Sequence, residues 1–116
     1  MNIEKITGLF TLFSGETDVK KYMPLINSAV CDVLPKLRKD ADLTDDRLAF
    51  LCAAIANLRY MQILAQKDKL TYTYAGTVAS HDNSEQKFQL ARNLVHDYWL
   101  NIPDLLADNE FIFMQA

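Results

Sequence analysis

Thr44–Lys67 reads TDDRLAFLCAAIANLRYMQILAQK, and this stretch decides how the rest of the chain is read. Leu48 to Ala56 is an unbroken run of nine apolar residues, which suits either a buried strand or a buried helix. Length and composition favour helix: the stretch holds 24 residues, has four alanines by Ala56, and contains no Gly or Pro. Thr44 is placed to cap its start, and Asp45 and Asp46 set negative charge against the unpaired N–H groups of the first turn. On a helical wheel Leu48, Leu51, Cys52 and Ile55 share one face, while Phe50, Ala53, Met61 and Leu64 cover others. A helix apolar nearly all round needs neighbours on several sides. The expectation is an all-α domain: a small bundle of about four helices around this central Ala-rich helix.

The elements on either side fit that plan. Ile3, Ile6, Leu9, Phe10 and Phe13 recur at helical spacing until Ser14-Gly15 breaks the pattern. Leu12 falls off that stripe, so this first helix either closes the core or docks on another subunit. Thr17 is placed to cap a second helix, expected from Asp18 to about Leu34, with apolar positions at Val19, Tyr22, Ile26, Ala29 or Val30, Val33 and Leu37 and a kink at Pro24. The mixed charges of residues 36–46 read as a surface turn. After Lys67 the pattern changes: Leu70, Tyr72 and Tyr74 alternate with Thr71 and Thr73, and Ala75-Gly76 leads into Thr77-Val78-Ala79. Period two with Thr and Tyr predicts an extended, hairpin-like insertion over residues 69–79, whose open edge is a place for strand addition. A polar break at Ser80–Asn83 and a helix from about Ser84 to Leu100 follow, and Pro103 opens a short turn. The stretch from Asp108 carries Phe111, Ile112, Phe113 and Met114, large apolar residues that need cover. All 116 residues read as one domain, and a chain of this length buries roughly two-thirds of its unfolded surface without disulfides or metals.

Composition narrows the function classes. Half the residues are hydrophobic and Gly plus Pro number six, which argues against disorder. The net charge of −3 argues against a domain that works by neutralising phosphates. Cys31 and Cys52 each sit within an apolar helical pattern and read as buried free thiols in an intracellular protein. Residues 1–8 carry no apolar signal core, and the nine-residue apolar run falls short of the roughly 20 that span a bilayer, so no membrane association is expected. His81-Asp82 and His96-Asp97 lie 15 residues apart with no metal-site spacing, so no metal or other cofactor is expected. The three glycines form no phosphate-cradling loop, and Asp45-Asp46 is better explained as helix-start charge. A Cys–His pair and base stacking on Tyr72 and Tyr74 are weak alternatives, so the chain is read as no enzyme.

The order of parts resembles the small head-to-tail connector (neck or adaptor) proteins of tailed bacteriophages and prophages. The resemblance is carried by the helix containing Tyr22-Met-Pro-Leu-Ile-Asn-Ser-Ala29, the acidic turn Leu43-Thr-Asp-Asp46, and the Ala-rich helix Leu48 to Leu64. It continues through an extended Tyr74-Ala-Gly-Thr-Val78 segment, a polar break, a last amphipathic helix, and the tail Asp104-Leu-Leu-Ala-Asp-Asn-Glu-Phe111. It covers roughly residues 17–113 and is one of layout rather than of a single motif. It implies a mostly helical subunit that self-associates into a ring of about a dozen copies, a head-to-tail contact closed by rotation. Such a ring joins portal to tail-side neck proteins and extends a channel through which DNA passes without specific binding. It also implies residence in the host cytoplasm before incorporation into a virion, and brings no catalytic residues. The elements available to build the contacts are the first helix, the extended segment and the Phe-rich tail, so Phe10, Phe13, Tyr72, Tyr74, Phe111 and Phe113 are the interface candidates. The rival reading is an intracellular helical adaptor or regulatory domain unrelated to virions.

Overall fold

Asp45 starts the longest helix. In the computed structural model its carboxylate accepts the backbone N–H of Arg47 at 2.9 Å, and its carbonyl accepts that of Leu48 at 3.0 Å. That is an N-cap. Thr44, the expected cap, instead donates its own N–H and hydroxyl to Asp42 two residues earlier, closing the approach to the helix. The structure describes the backbone of residues 1–75 and 78–107 and the side chains of residues 1–67 and 85–107.

Among the described residues there are four helices: α1 (Ile3–Ser14), α2 (Val19–Val33), α3 (Asp46–Ala75) and α4 (Val78–Leu100). Two 3-10 turns, Leu34–Lys36 and Pro103–Leu105, accompany them. The all-α class and the central position of the Ala-rich helix are as the periodicity predicts. From Leu48 to Asn57 every residue of α3 except Phe50 is buried. Three partners surround this half: α1 with Ile6 and Phe10, α2 with Ile26, Ala29 and Val33, and α4 with Ala91 and Val95. Asn2 caps α1 through the Lys5 N–H at 3.1 Å, and Gly15 ends it in a left-handed conformation, φ 78°, which a residue with a Cβ adopts only at a cost. Pro24 stands inside α2, which remains one helix. Asp18 rather than Thr17 flanks its start, without a side-chain capping bond.

Two expectations are corrected here. Residues 69–79 form no extended hairpin where they are described: α3 continues through Ala75 and α4 begins at Val78, with residues 76–77 outside the described part. The Thr/Tyr alternation carries a strand preference of order 1 kcal/mol that depends on context. Extending an existing helix adds a hydrogen bond per residue with no new nucleus, whereas an isolated hairpin is marginal in water. No Gly or Pro interrupts the chain between Asp45 and Ala75. The polar run Ser80–Asn83, expected as a break, is likewise helical backbone within α4. The second correction is Cys31, which is exposed, while Cys52 is buried as expected.

The segment after α4 belongs to the core. Ile102 and Leu106 are fully buried and Leu105 nearly so. Leu37 and Leu106 form an antiparallel bridge, with Arg38 N–H to Leu105 O at 2.9 Å and Ala107 N–H to Lys36 O at 3.0 Å. The Arg38 Nε–H adds a bond to Leu106 O at 2.9 Å. Asp46–Lys67 is long and apolar enough to cross a membrane, at a mean hydropathy of 1.5, but 56% of that window is buried within the chain, the condition of a core helix.

Candidate functional site

The polar side chains of the described residues gather in three places, and each has a structural task. At the start of α3 the Arg47 guanidinium spans Asp45 (2.9 and 3.1 Å) and Asp104 (3.0 Å to each oxygen), and donates to Asn101 O at 2.8 Å. The planar fork suits two carboxylates at once. It holds the turn after α4 against the start of α3. Hydrogen bonding to Arg47 lowers the pKa of both Asp45 and Asp104, and the two acids raise that of Arg47. Asp46, the other member of the acidic pair, meets Lys5 of α1. The doublet that opens the helix thus also pins α1 and the post-α4 turn.

The second place is aromatic. Phe10, Tyr22 and Tyr60 pack with ring centroids 5.0 to 6.0 Å apart, Tyr60 edge-on to both others. The Tyr60 hydroxyl donates to the Glu16 carboxylate at 2.5 Å, and burial with that bond raises its pKa. On the outer side of α2, Arg59 bonds Ser28 at 2.6 Å and pairs with Asp32. The third is the Cys52 thiol, 3.5 Å from the Met1 sulfur; burial pushes its pKa up to about 12. A thiol with that pKa stays protonated near neutrality and is a poor nucleophile. Among the described residues no three His, Cys, Asp or Glu side chains stand together as metal ligands. His96 is exposed, and His81 lies outside the residues whose side chains are described.

Of the six interface candidates, Phe10 is fully buried and serves the core, because α1 lays its Ile6–Phe10 stripe on α3. Phe13 is half-buried, with its ring 6.3 Å from that of Tyr98, which in turn sits 5.6 Å from Phe50. Tyr72, Tyr74, Phe111 and Phe113 lie outside the residues whose side chains are described.

The structure points to a site that the sequence did not single out. Where α1 ends against α3 and α4, an open groove of about 350 Å³ is lined by Phe13, Asn57, Met61, Leu90, Leu94 and Lys87. Leu90 is 69% exposed, and Leu12, beside Phe13 in sequence, is 74% exposed. Asn57 is 5% exposed, and its side-chain oxygen has no hydrogen-bond partner among the described residues. An unpaired acceptor out of water costs about 1–3 kcal/mol, so such groups are rare and ask for an explanation. A larger groove, about 680 Å³, is lined by Arg59, Gln62, Ile63, Gln66, Glu85 and Phe88. At 100° per residue, Arg59, Ile63 and Gln66 fall on the face of α3 opposite Asn57 and Met61, so the two grooves flank the α3–α4 pair.

Asn57 was missed because it follows directly on the apolar run and reads as the point where the buried face ends. Its only sequence signal is position: one turn beyond Ala53 on a helix apolar all round, Asn57 falls on a face that must also be buried. No family model, curated protein or solved structure matches this chain.

Proposed function

We propose that this chain is a structural assembly subunit: a ring subunit of a tailed-phage or prophage head-tail connector that joins portal to tail and extends the DNA channel. The observation that carries the assembly part is the apolar surface left open beside a completed core. Leu90 lines the groove and stands in solvent, and Leu12 is exposed on α1, although Ile6, Phe10, Leu51 and Ile102 show that the chain fully buries large side chains elsewhere. Exposed apolar surface gathered around a concave site is what a protein partner covers. The connector part rests on the resemblance in layout between residues 17 and 113, without its extended segment and polar break, which are helical where described. The net charge of −3 suits a channel wall past which DNA slides, since attraction to phosphates slows such movement. In this reading the subunit catalyses no reaction, resides in the host cytoplasm before assembly, and meets portal and tail-side neck proteins.

The same open surface serves the second reading, an intracellular adaptor, and the gene context separates the two. Portal, protease and capsid genes upstream of the coding sequence support a connector. The direct experiment mixes the purified chain with the portal protein encoded beside it and looks for a ring by electron microscopy. Failure to bind any neighbouring virion protein, in an organism where the gene lies among unrelated operons, would sink the connector reading and leave the adaptor.

A further inference from the structure

Beyond the enclosed core the α3–α4 pair stands without a core of its own: none of residues 61–67 or 85–90 is buried. It presents two flanks. One is the groove of about 680 Å³, where Ile63 and Phe88 are the apolar lining, Gln62 and Gln66 are amides beside them, and Glu85 supplies a carboxylate. The other carries Met61, Leu94, the largely exposed Leu90 and the exposed ammonium of Lys87. Helix geometry keeps the two apart. Glu85 and Lys87 point about 160° away from each other round α4, and Met61 and Gln66 about 140° round α3. We infer that the two flanks are each other's partners: the Leu90–Lys87 flank of one copy packs into the Ile63–Phe88 groove of a second copy of this chain.

Shape and charge both match. Leu90 protrudes from one flank, and the other flank is a groove with an apolar lining to receive it. Lys87 and Glu85 are two residues apart, a rise of about 3 Å along α4. When two copies stand side by side in the same orientation, Lys87 of one therefore comes level with Glu85 of the next. Glu85 has a contact within its own chain, and a carboxylate accepts from more than one donor. Charge also selects against the alternative: pairing either flank with its own kind brings two Lys87 or two Glu85 onto one interface. Because the flanks are unlike and lie on opposite sides of one rigid helix pair, the contact is head-to-tail. Such a contact repeats from copy to copy and closes into a ring or continues as a filament. It covers both sides of a helix pair that the chain itself leaves open.

This inference rests on the self-assembly part of the proposed function and not on its connector part. The test exchanges the charges in the full chain and reads association by sedimentation over a concentration series. Lys87→Glu and Glu85→Lys are each expected to weaken association about three- to tenfold, since each sets like charges across the contact. An equal mixture of the two variants is expected to regain the parent's association, because each flank then meets the opposite charge on the other variant. The chain carrying both substitutions is expected to regain it alone. Leu90→Asp, which sets a carboxylate against the apolar lining, is expected to weaken association about tenfold, with no rescue by either charge variant. All three positions are exposed, so circular dichroism of the variants stays native. A parent that stays monomeric up to about 1 mM, single variants that associate as well as the parent, or a mixture no stronger than its components would each overturn the inference. Charge-swapped rescue in a chain that ignores portal leaves the inference standing and removes the connector; a portal-dependent ring indifferent to both swaps does the reverse.

Discussion

Replacing Asn57 by Leu is expected to stabilise the chain. The side chain is 5% exposed and its oxygen has no partner among the described residues, so the domain carries the desolvation cost of one acceptor, about 1–3 kcal/mol. Leu has as many side-chain heavy atoms as Asn, though its methyl groups are bulkier, and adds no polar atom, so Asn57→Leu removes that cost without opening a cavity. Part of the gain is lost to imperfect packing, which leaves a net stabilisation of about 1–2 kcal/mol. For a chain of this length that corresponds to a rise in Tm of roughly 3–8 °C, and to a shift of order 0.5–1 M in the urea midpoint. The assay is urea unfolding followed by circular dichroism. A variant less stable than the parent would mean that the amide is hydrogen-bonded in solution, and the argument from an orphan acceptor would fail with it.

Other consequences concern the core and its fastenings. Leu51→Asp buries an unpaired carboxylate at the fully enclosed centre of α3 and is expected to abolish cooperative unfolding, since the cost of several kcal/mol is comparable with the stability of a small domain; a native thermal transition would refute the packing described. A thiol reagent at mildly alkaline pH is expected to label Cys31 alone, because Cys52 is buried and its pKa is pushed up to about 12; two labels per native chain, counted by mass spectrometry, would contradict this. The carboxylates of Asp45 and Asp104 have folded-state pKa values below 3.8, so their contribution is present above that value and is lost as pH falls through the lowered folded values. Arg47→Gln is therefore expected to destabilise the chain at about pH 6 and to make little difference near pH 2, with urea midpoints at both values as the readout. Removal of residues 109–116 is expected to leave a folded helical chain with impaired assembly, since the fastening to Lys36 and Arg38 ends at Ala107; loss of the circular dichroism signal would place that segment in the core instead.

The sequence was most legible where burial is symmetric. Leu48–Ala56 announces a helix with neighbours on all sides, and the structure supplies those neighbours. Ile6 and Phe10, and Ile26 and Val33, were placed by spacing alone, and each falls where periodicity puts it; Pro103 opens a short turn as its fixed φ suggests. The misreading came at Leu70–Ala79, where local preference and helix propagation compete. The alternation of Thr and Tyr is a weak, context-dependent signal, and the uninterrupted helix before it prevails. The cap moved from Thr44 to Asp45 for a related reason: both residues are competent, and only the position of the first free N–H decides. Cys31 looked like Cys52 in one dimension because an amphipathic helix places a residue inside or outside within about 100° of rotation. The groove was illegible because three elements far apart in sequence make it, with Phe13, Asn57 and Leu90 meeting only after the fold has formed.

Asn57 marks a change in what surrounds α3. Before it, α1, α2 and α4 enclose the helix; after it, Leu58, Met61 and Leu64 are half-buried, and Gln62, Ile63 and Gln66 face solvent. Nearly all the apolar burial that fixes the fold lies on the enclosed side, together with the Arg47 clamp and the Leu37–Leu106 bridge. The outer described part of the α3–α4 pair, from Met61 and Leu90 outward, has fewer buried contacts per residue, and regions of that kind open at lower free energy than a core. A partner seated in the groove contacts Phe13 on the enclosed side and Met61 and Leu90 on the outer side at once. It therefore stabilises the outer pair by binding its closed form, in proportion to RT ln(1 + [L]/Kd). Amide hydrogen exchange along residues 61–66 and 85–90 should slow on self-association by more than exchange along residues 48–56. Equal protection of both segments would mean that association acts on global stability alone, and that the groove does not join the two halves of α3.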